Sequence, residues 1–294
     1  MAAFKEHDFG GQSPWFGPYL GDYRSLVTTA GWRGGLPMPA AARMWVLDSN
    51  GGIAYEAELE KLDIGRKVGV EFEAPQSSNL GANVSRGAIV FVAAPSSEAH
   101  DAPQLEMSAS LRLMKSMEPE CVLGSGNAIM LNDVRRSGRA TRYTMISQAA
   151  SIDGPWRALS CHINGSADPL YDRTIEFSVC AYNAEGQVIG PEKIRVAPFG
   201  TAWIDICEIF GAALERHFAS SGGKGAYTVY SDEGSAVGYH FLQNRENGTL
   251  AADHTRAIRK YMAMGYGGKF LVPPADAFGF ARNSARALKF LLSR

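Results

Sequence analysis

The sequence predicts an all-β protein: two tandem antiparallel β-sandwich-like units from an internal duplication, with one inserted helix and a short C-terminal helix. Three observations carry this. Short apolar runs alternate with polar residues, as in Ile53-Ala-Tyr55-Glu-Ala57-Glu-Leu59 and Val68-Gly-Val70-Glu-Phe72, which turns one face of each strand inward and the other to water. Turn residues separate the runs, with 32 Gly and 14 Pro spread between them rather than gathered in low-complexity tracts. A set of landmarks then recurs in one order. Tyr23 opens YRSLVTTA and Tyr143 opens YTMISQAA. Gly31-Trp32-Arg33 is answered by Pro155-Trp156-Arg157, and Asp48-Ser-Asn-Gly51 by Asn183-Ala-Glu-Gly186. Gly65 is answered by Gly200, and Gly87-Ala-Ile-Val-Phe-Val by Gly225-Ala-Tyr-Thr-Val-Tyr. The offset only grows along the chain, as insertions in a second copy would make it.

The repeat divides the chain. Residues 1–22 hold Phe9, Pro14, Trp15, Phe16 and Pro18 and are expected to lie irregularly across a surface. Residues 23–115 form the first unit, with strands expected at 23–30, 42–48, 53–60, 67–73, 88–94 and 105–114. Two β-favouring runs flank Asp48-Ser-Asn-Gly-Gly52, which is a hairpin signature. Residues 116–142 form a connector with Arg135, Arg136 and Arg139 on a solvated stretch. The second unit covers 143–260. It differs by the insertion Ile209–Phe218, whose apolar positions 209, 210, 213, 214 and 218 fit one helical stripe. Residues 261–294 are a loop and a closing amphipathic helix from about 280, built on Phe280, Ala285, Leu288, Leu291 and Leu292.

Composition narrows the function classes. With 294 residues, 46% hydrophobic and 20% charged, the chain can build two cores and is not extensively disordered. A formal net charge of −1 supplies no field to gather nucleic acid or an anionic membrane. No apolar run approaches a membrane span, and no apolar leader follows Met1, so a cytoplasmic protein is expected. The cysteines 121, 161, 180 and 207 form no CxxC pair, and Cys161 and Cys180 are expected as small buried apolar groups. The sequons at Asn164 and Asn247 are expected to be turns.

Standard catalytic signatures are missing. Ser221-Gly-Gly-Lys-Gly225 lacks the P-loop spacing, HExxH, GxSxG and GxGxxG do not occur, and the six histidines show no metal-ligand pairing, so no cofactor and no metal are expected. One constellation stands out: Tyr239-His240-Phe-Leu-Gln243-Asn244-Arg245, followed by Asp253-His254-Thr255-Arg256. On a strand, His240, Leu242 and Asn244 share one face. A turn at Glu246-Asn247-Gly248 brings the second group back alongside. His240, Asn244, Arg245, Asp253, His254 and Arg256 are therefore candidates for binding an anionic or polyhydroxylated molecule. They are equally compatible with capping a sheet edge. Trp32 and Trp156, each beside an arginine, are candidate stacking platforms, although a tryptophan there also serves to seal a sandwich core.

Residues 176–245 resemble the sensory rhodopsin transducer family. The shared pattern is a strand ending in Asn (VCAYN), a Gly turn, a strand containing Val-Ile-Gly-Pro (VIGPEKIRV), a Pro/Gly corner (APFGT) and an apolar strand ending in polar residues (VGYHFLQNR). The family's His-Thr-Arg run on the last strand has its counterpart farther on, at His254-Thr255-Arg256. The resemblance implies a small-molecule or sugar-related binding domain that forms oligomers. The expectation is a non-enzymatic binding protein for a small sugar-like or anionic ligand. A homo-oligomeric assembly protein joined through sandwich edges, and a hydrolase or isomerase using His240, Asp253 and His254, are the other readings.

Overall fold

The computed structural model describes residues 14–32, 38–64, 70–80, 84–95, 107–115, 121–125, 143–144, 148–166, 171–234 and 236–255. The first unit contains β1 (Trp15–Leu20), β2 (Arg24–Trp32), β3 (Met38–Asp48), β4 (Ile53–Ile64), β5 (Val70–Ala74), β6 (Arg86–Pro95), β7 (Met107–Met114) and β8 (Cys121–Ser125). The second contains β9 (Tyr143–Thr144), β10 (Gln148–Ser151), β11 (Trp156–Ile163), β12 (Ile175–Asn183), β13 (Val188–Val196) and β14 (Thr201–Asp205). It continues through helices α1 (Ile206–Phe210) and α2 (Ala212–Phe218) to β15 (Lys224–Ser231), β16 (Val237–Asn244) and β17 (Leu250–Thr255). All pairings are antiparallel and the chain is all-β.

Four sheets form. Sheet I has the order β5-β2-β7-β8 and sheet II the order β1-β6-β3-β4. In the second unit sheet III is β14-β11-β16-β17 and sheet IV is β10-β15-β12-β13, with β9 also on β15. Strand for strand, III repeats I and IV repeats II. The hairpin turns agree in detail. Asp48 accepts from the backbone N–H of Asn50 and Gly52, both at 2.8 Å, and Asn183 accepts from Gln187 N–H at 2.9 Å. Gly51 and Gly186 take φ of 82° and 75°, which favours glycine. Gly87 faces Asp48 across the ladder as Gly225 faces Asn183. The other landmarks diverge. Trp32 ends β2 whereas Trp156 begins the equivalent β11, and Tyr23 precedes β2 whereas Tyr143 lies in β9. Gly65 lies outside the described residues.

The sheets stack in the order I, II, III, IV. Neighbouring residues of a strand point to opposite faces, and β1 shows both faces of sheet II in use. Trp15 pairs with Phe91, whose ring stacks on Phe72 of sheet I at 5.3 Å. Phe16 stacks on Phe199, in the loop leading to β14, at 6.4 Å, and its carbonyl accepts from Tyr239 Oη of sheet III at 2.6 Å. Trp203 of sheet III donates to the Gly87 carbonyl at 3.3 Å. Sheet II is therefore buried on both faces, and one continuous core runs from Val27 and Leu111 to Cys161 and Phe241. A second core lies between sheets III and IV around Phe177, Ile204, Leu214 and Tyr227. The outer faces differ in kind. Arg24–Glu73 (2.7 Å) and Arg112–Glu71 (3.5 Å) cover sheet I, and Lys193–Glu176 (2.7 Å) covers sheet IV. These exposed charges finish the stack at four layers.

Three expectations are corrected. Trp15–Leu20 is a buried strand, not an irregular lead-in, because its aromatics supply both faces of a central sheet. Cys121–Ser125 adds β8 within the expected connector. The helical insertion starts earlier than 209, at Ile206, and breaks at Gly211 (φ 50°) into α1 and α2. The expected C-terminal helix lies outside the described residues. Among the described residues no helix is long and apolar enough to cross a membrane.

Candidate functional site

The β16–β17 hairpin forms where the sequence places it, and the candidate side chains that are described, those of His240, Asn244 and Arg245, meet different partners. His240 points between sheets III and IV and is 9% exposed. Its Nδ1 lies 3.2 Å from Tyr227 Oη. Across the ladder it faces Ser160, whose Oγ is 2.9 Å from His162 Nε2. Ser160, His162, Tyr227 and His240 thus form a polar cluster inside the second core, closed off from solvent. Asn244 works on the turn: its Oδ1 accepts from Glu246 N–H at 2.9 Å and Asn247 N–H at 3.3 Å. This is the edge-capping role. Asp253 and His254 hold the β17 positions opposite His240 and Tyr239, and their side chains lie outside the described residues, as does that of Trp32. Arg256 lies outside them altogether.

Arg245 leads to a different cluster, at one end of the seam between the two units. Its backbone N–H donates to Pro155 O at 2.7 Å, and its exposed guanidinium meets the Cys207 thiol at 3.9 Å. Among the described residues it has no carboxylate partner. Cys207 belongs to α1, whose N-cap Asp205 accepts from the Cys207 N–H at 2.8 Å. The Asp205 carboxylate, almost fully buried, also takes the Nε–H of Arg157, and Arg157 reaches Glu208 with its other arm. From the first unit, Arg86 approaches Glu208 at 4.0 Å and lies 6.0 Å from the Trp203 ring centre. Three guanidiniums from β6, β11 and the β16–β17 turn therefore surround two carboxylates and a half-buried thiol. On the other face of sheet III from Arg157, Trp156, which faces Asn244 across the ladder, is 42% exposed. That corrects the core-sealing reading of this residue, because β11 emerges from the sandwich at its first residue.

Electrostatics distinguishes the members. Burial opposes the charge on Arg157, but Asp205 and Glu208 outweigh it and hold the guanidinium more firmly protonated than usual. Burial raises the Cys207 thiol, with Asp205 adding to the effect, so the sulfur is a neutral neighbour and a poor nucleophile. Arg157 is structural: Arg157→Ala leaves Asp205 buried without its cation and is expected to cost about 2–4 kcal/mol, measured as a shift in the urea midpoint at unchanged m. Equal midpoints for variant and wild type would show that water screens Asp205. Arg86 and Arg245 are the loosely held charges.

The sequence singled out Arg245, Trp156 and, as the neighbour of Trp156, Arg157, but not Arg86, Asp205 or Glu208. The signal available for Arg157 was its place beside Trp156. Arg86 and Glu208 carried none, since only the stacking of the units brings them together. Among the described residues no three His, Cys, Asp or Glu side chains are grouped to hold a metal. No protein-family model and no curated protein matches the chain.

Proposed function

We propose that the chain is a binding protein for a small polar ligand carrying an anionic group, such as a sugar acid, taken at the Arg86–Arg157–Arg245 seam. The observation that carries this is Arg245: an exposed guanidinium in the same cluster as two others, whose side chain meets only the Cys207 thiol among the described residues. A carboxylate or phosphate would meet Arg245 and Arg86 and compete with Glu208, which already sits between Arg86 and Arg157. The partial resemblance of residues 176–245 to a ligand-binding family leans the same way. Nothing in the cluster needs a reaction. The buried His240, bonded to Tyr227, fits packing better than acid–base work. The correspondence of sheets I and II with III and IV supports descent of both units from one duplicated sandwich, with the seam arising where the copies met.

Charged hydrogen bonds contribute roughly 1.5–3 kcal/mol each. Arg245→Ala is therefore expected to weaken binding of galacturonate about ten- to a hundredfold, read by calorimetry, with thermal stability unchanged because the side chain is exposed. Unaltered binding in this variant would remove Arg245 from the site.

A further inference from the structure

Sheets II and IV are equivalent, and each ends in a strand with no further strand beyond it among the described residues, β4 and β13. At the same distance from the hairpin turns at Asp48 and Asn183 stand Arg43 and Ser178, and these face Glu58 and Lys193 across the ladder. One position of the two edge strands therefore carries opposite charge. Glu58 is bridged to Arg43 at 2.5 Å, and Lys193 to Glu176 at 2.7 Å. Glu56 and Glu58 are exposed on β4, as are Lys193 and Arg195 on β13. The other side of each edge is apolar apart from Glu192. There Tyr55 and Leu59 are partly buried against the first core, and Ile194 against the second. The edges match in build and differ in sign.

We propose that β4 of one copy pairs edge to edge with β13 of a second copy, so that the chain assembles head to tail through its two equivalent sheets. A half-turn about the sheet normal brings β13 against β4 with equivalent faces on the same side. The two strands are then antiparallel. Placing Glu58 opposite Lys193 sets the register, in which Glu56 faces Arg195, Ala57 faces Ile194 and Tyr55 faces Val196. Opposite charges and apolar neighbours across a ladder are what stabilise a sheet. Across the joined sheet the charges run Arg43, Glu58, Lys193, Glu176, alternating in sign from β3 to β12. The paired stretch of β13 begins after Pro191, which has no N–H to give. Leu59 against Glu192, the one mismatched pair, falls at its end. Self-pairing is disfavoured, because β4 against β4 opposes glutamates and β13 against β13 opposes Lys193 and Arg195.

An open edge invites such an added strand. The contact is heterologous: each copy offers β4 to one neighbour and β13 to another. Sheet II is the second layer of the stack and sheet IV the fourth, so each pairing shifts the next copy along the stack. Two copies do not close on each other, and the series stays open. One short strand segment on each side is a small interface, so assembly follows concentration. Its exposed charges make it follow salt as well.

Sedimentation velocity of the whole chain over a concentration series, at low and high salt, tests this. The wild type is expected to form open-ended oligomers at low salt that dissociate at high salt. Glu56→Lys/Glu58→Lys and, separately, Lys193→Glu/Arg195→Glu are each expected to weaken association about tenfold or more, because attraction becomes repulsion. Mixed in equal amounts, the two variants again present complementary edges, and assembly is expected to return. Circular dichroism melts confirm that each variant is folded. If Lys193→Glu/Arg195→Glu is not, Lys193→Gln/Arg195→Gln takes its place, sparing Glu176 a like-charged neighbour, and is expected to weaken association in the same direction. A wild type that stays monomeric at every concentration at low salt overturns the proposal. So do folded variants that assemble as the wild type does, or a mixture of the reversed pair that gains nothing over its parts.

Discussion

Asn164→Ala is expected to lower stability by about 3–5 kcal/mol, among the largest single-residue effects in this chain. The Asn164 side chain is buried, and its amide donates to the carbonyls of Arg173 (2.8 Å), Val196 (3.1 Å) and Ala197 (3.0 Å). Its Oδ1 accepts from Tyr171 Oη at 2.7 Å. Its backbone carbonyl accepts from Phe199 N–H at 2.9 Å. Phe199 is the one non-glycine residue with positive φ, at 59°, among those described. That conformation costs energy and persists because the Asn164 ties and the Phe16 ring hold it. Alanine leaves buried acceptors and a phenol without partners and loosens the ring that joins the two units. Chemical denaturation gives the number directly. A loss below about 1 kcal/mol would mean that water replaces the amide. The same burial removes Asn164 as a glycan acceptor, and only its sequence context makes it look like a turn.

Gly87→Ala is the second large effect. A Cβ at Gly87 would stand 1.9 Å from the Leu47 carbonyl oxygen, and that atom belongs to the backbone of the adjacent central strand. The ladder between β3 and β6 must shift, at a cost of about 3–4 kcal/mol. Gly186→Ala is the control. Its Cβ would meet nothing within 4 Å, so only its positive φ is charged, about 1 kcal/mol. The two losses differ because one is steric and central and the other is conformational and exposed. Equal losses would show that the β3–β6 register relaxes freely.

The strands were legible where one face is wet. Alternation marks β4 and β5, and Asp48-Ser-Asn-Gly51 marks the hairpin between β3 and β4. β1 escaped because Trp-Phe-Gly-Pro-Tyr-Leu is buried on both faces, so it shows no alternation, and its Gly and Pro suggest a turn. The 239–256 constellation was legible as a density of polar residues and as a hairpin. Its face assignment was right, with His240, Leu242 and Asn244 aligned, but a strand does not say which of its faces another sheet will cover. His162 was missed as a lone histidine. Its signal was Ser160 and His162 alternating with Leu159, Cys161 and Ile163, two faces of β11 turned to two different cores. Arg86 and Glu208 lie far apart in the chain and meet only because one sandwich stacks on the other.

The direct test of the seam as a binding site is a calorimetric titration with galacturonate and, separately, with galactose, on wild type, Arg86→Ala and Arg245→Ala at low and high salt. Saturable binding of the acid but not the neutral sugar is expected. It should weaken with salt and fall about tenfold or more in each variant, while the melting temperatures of all three proteins agree. Equal affinity of wild type and both variants for the acid, or no saturable binding of it at low salt, contradicts the account.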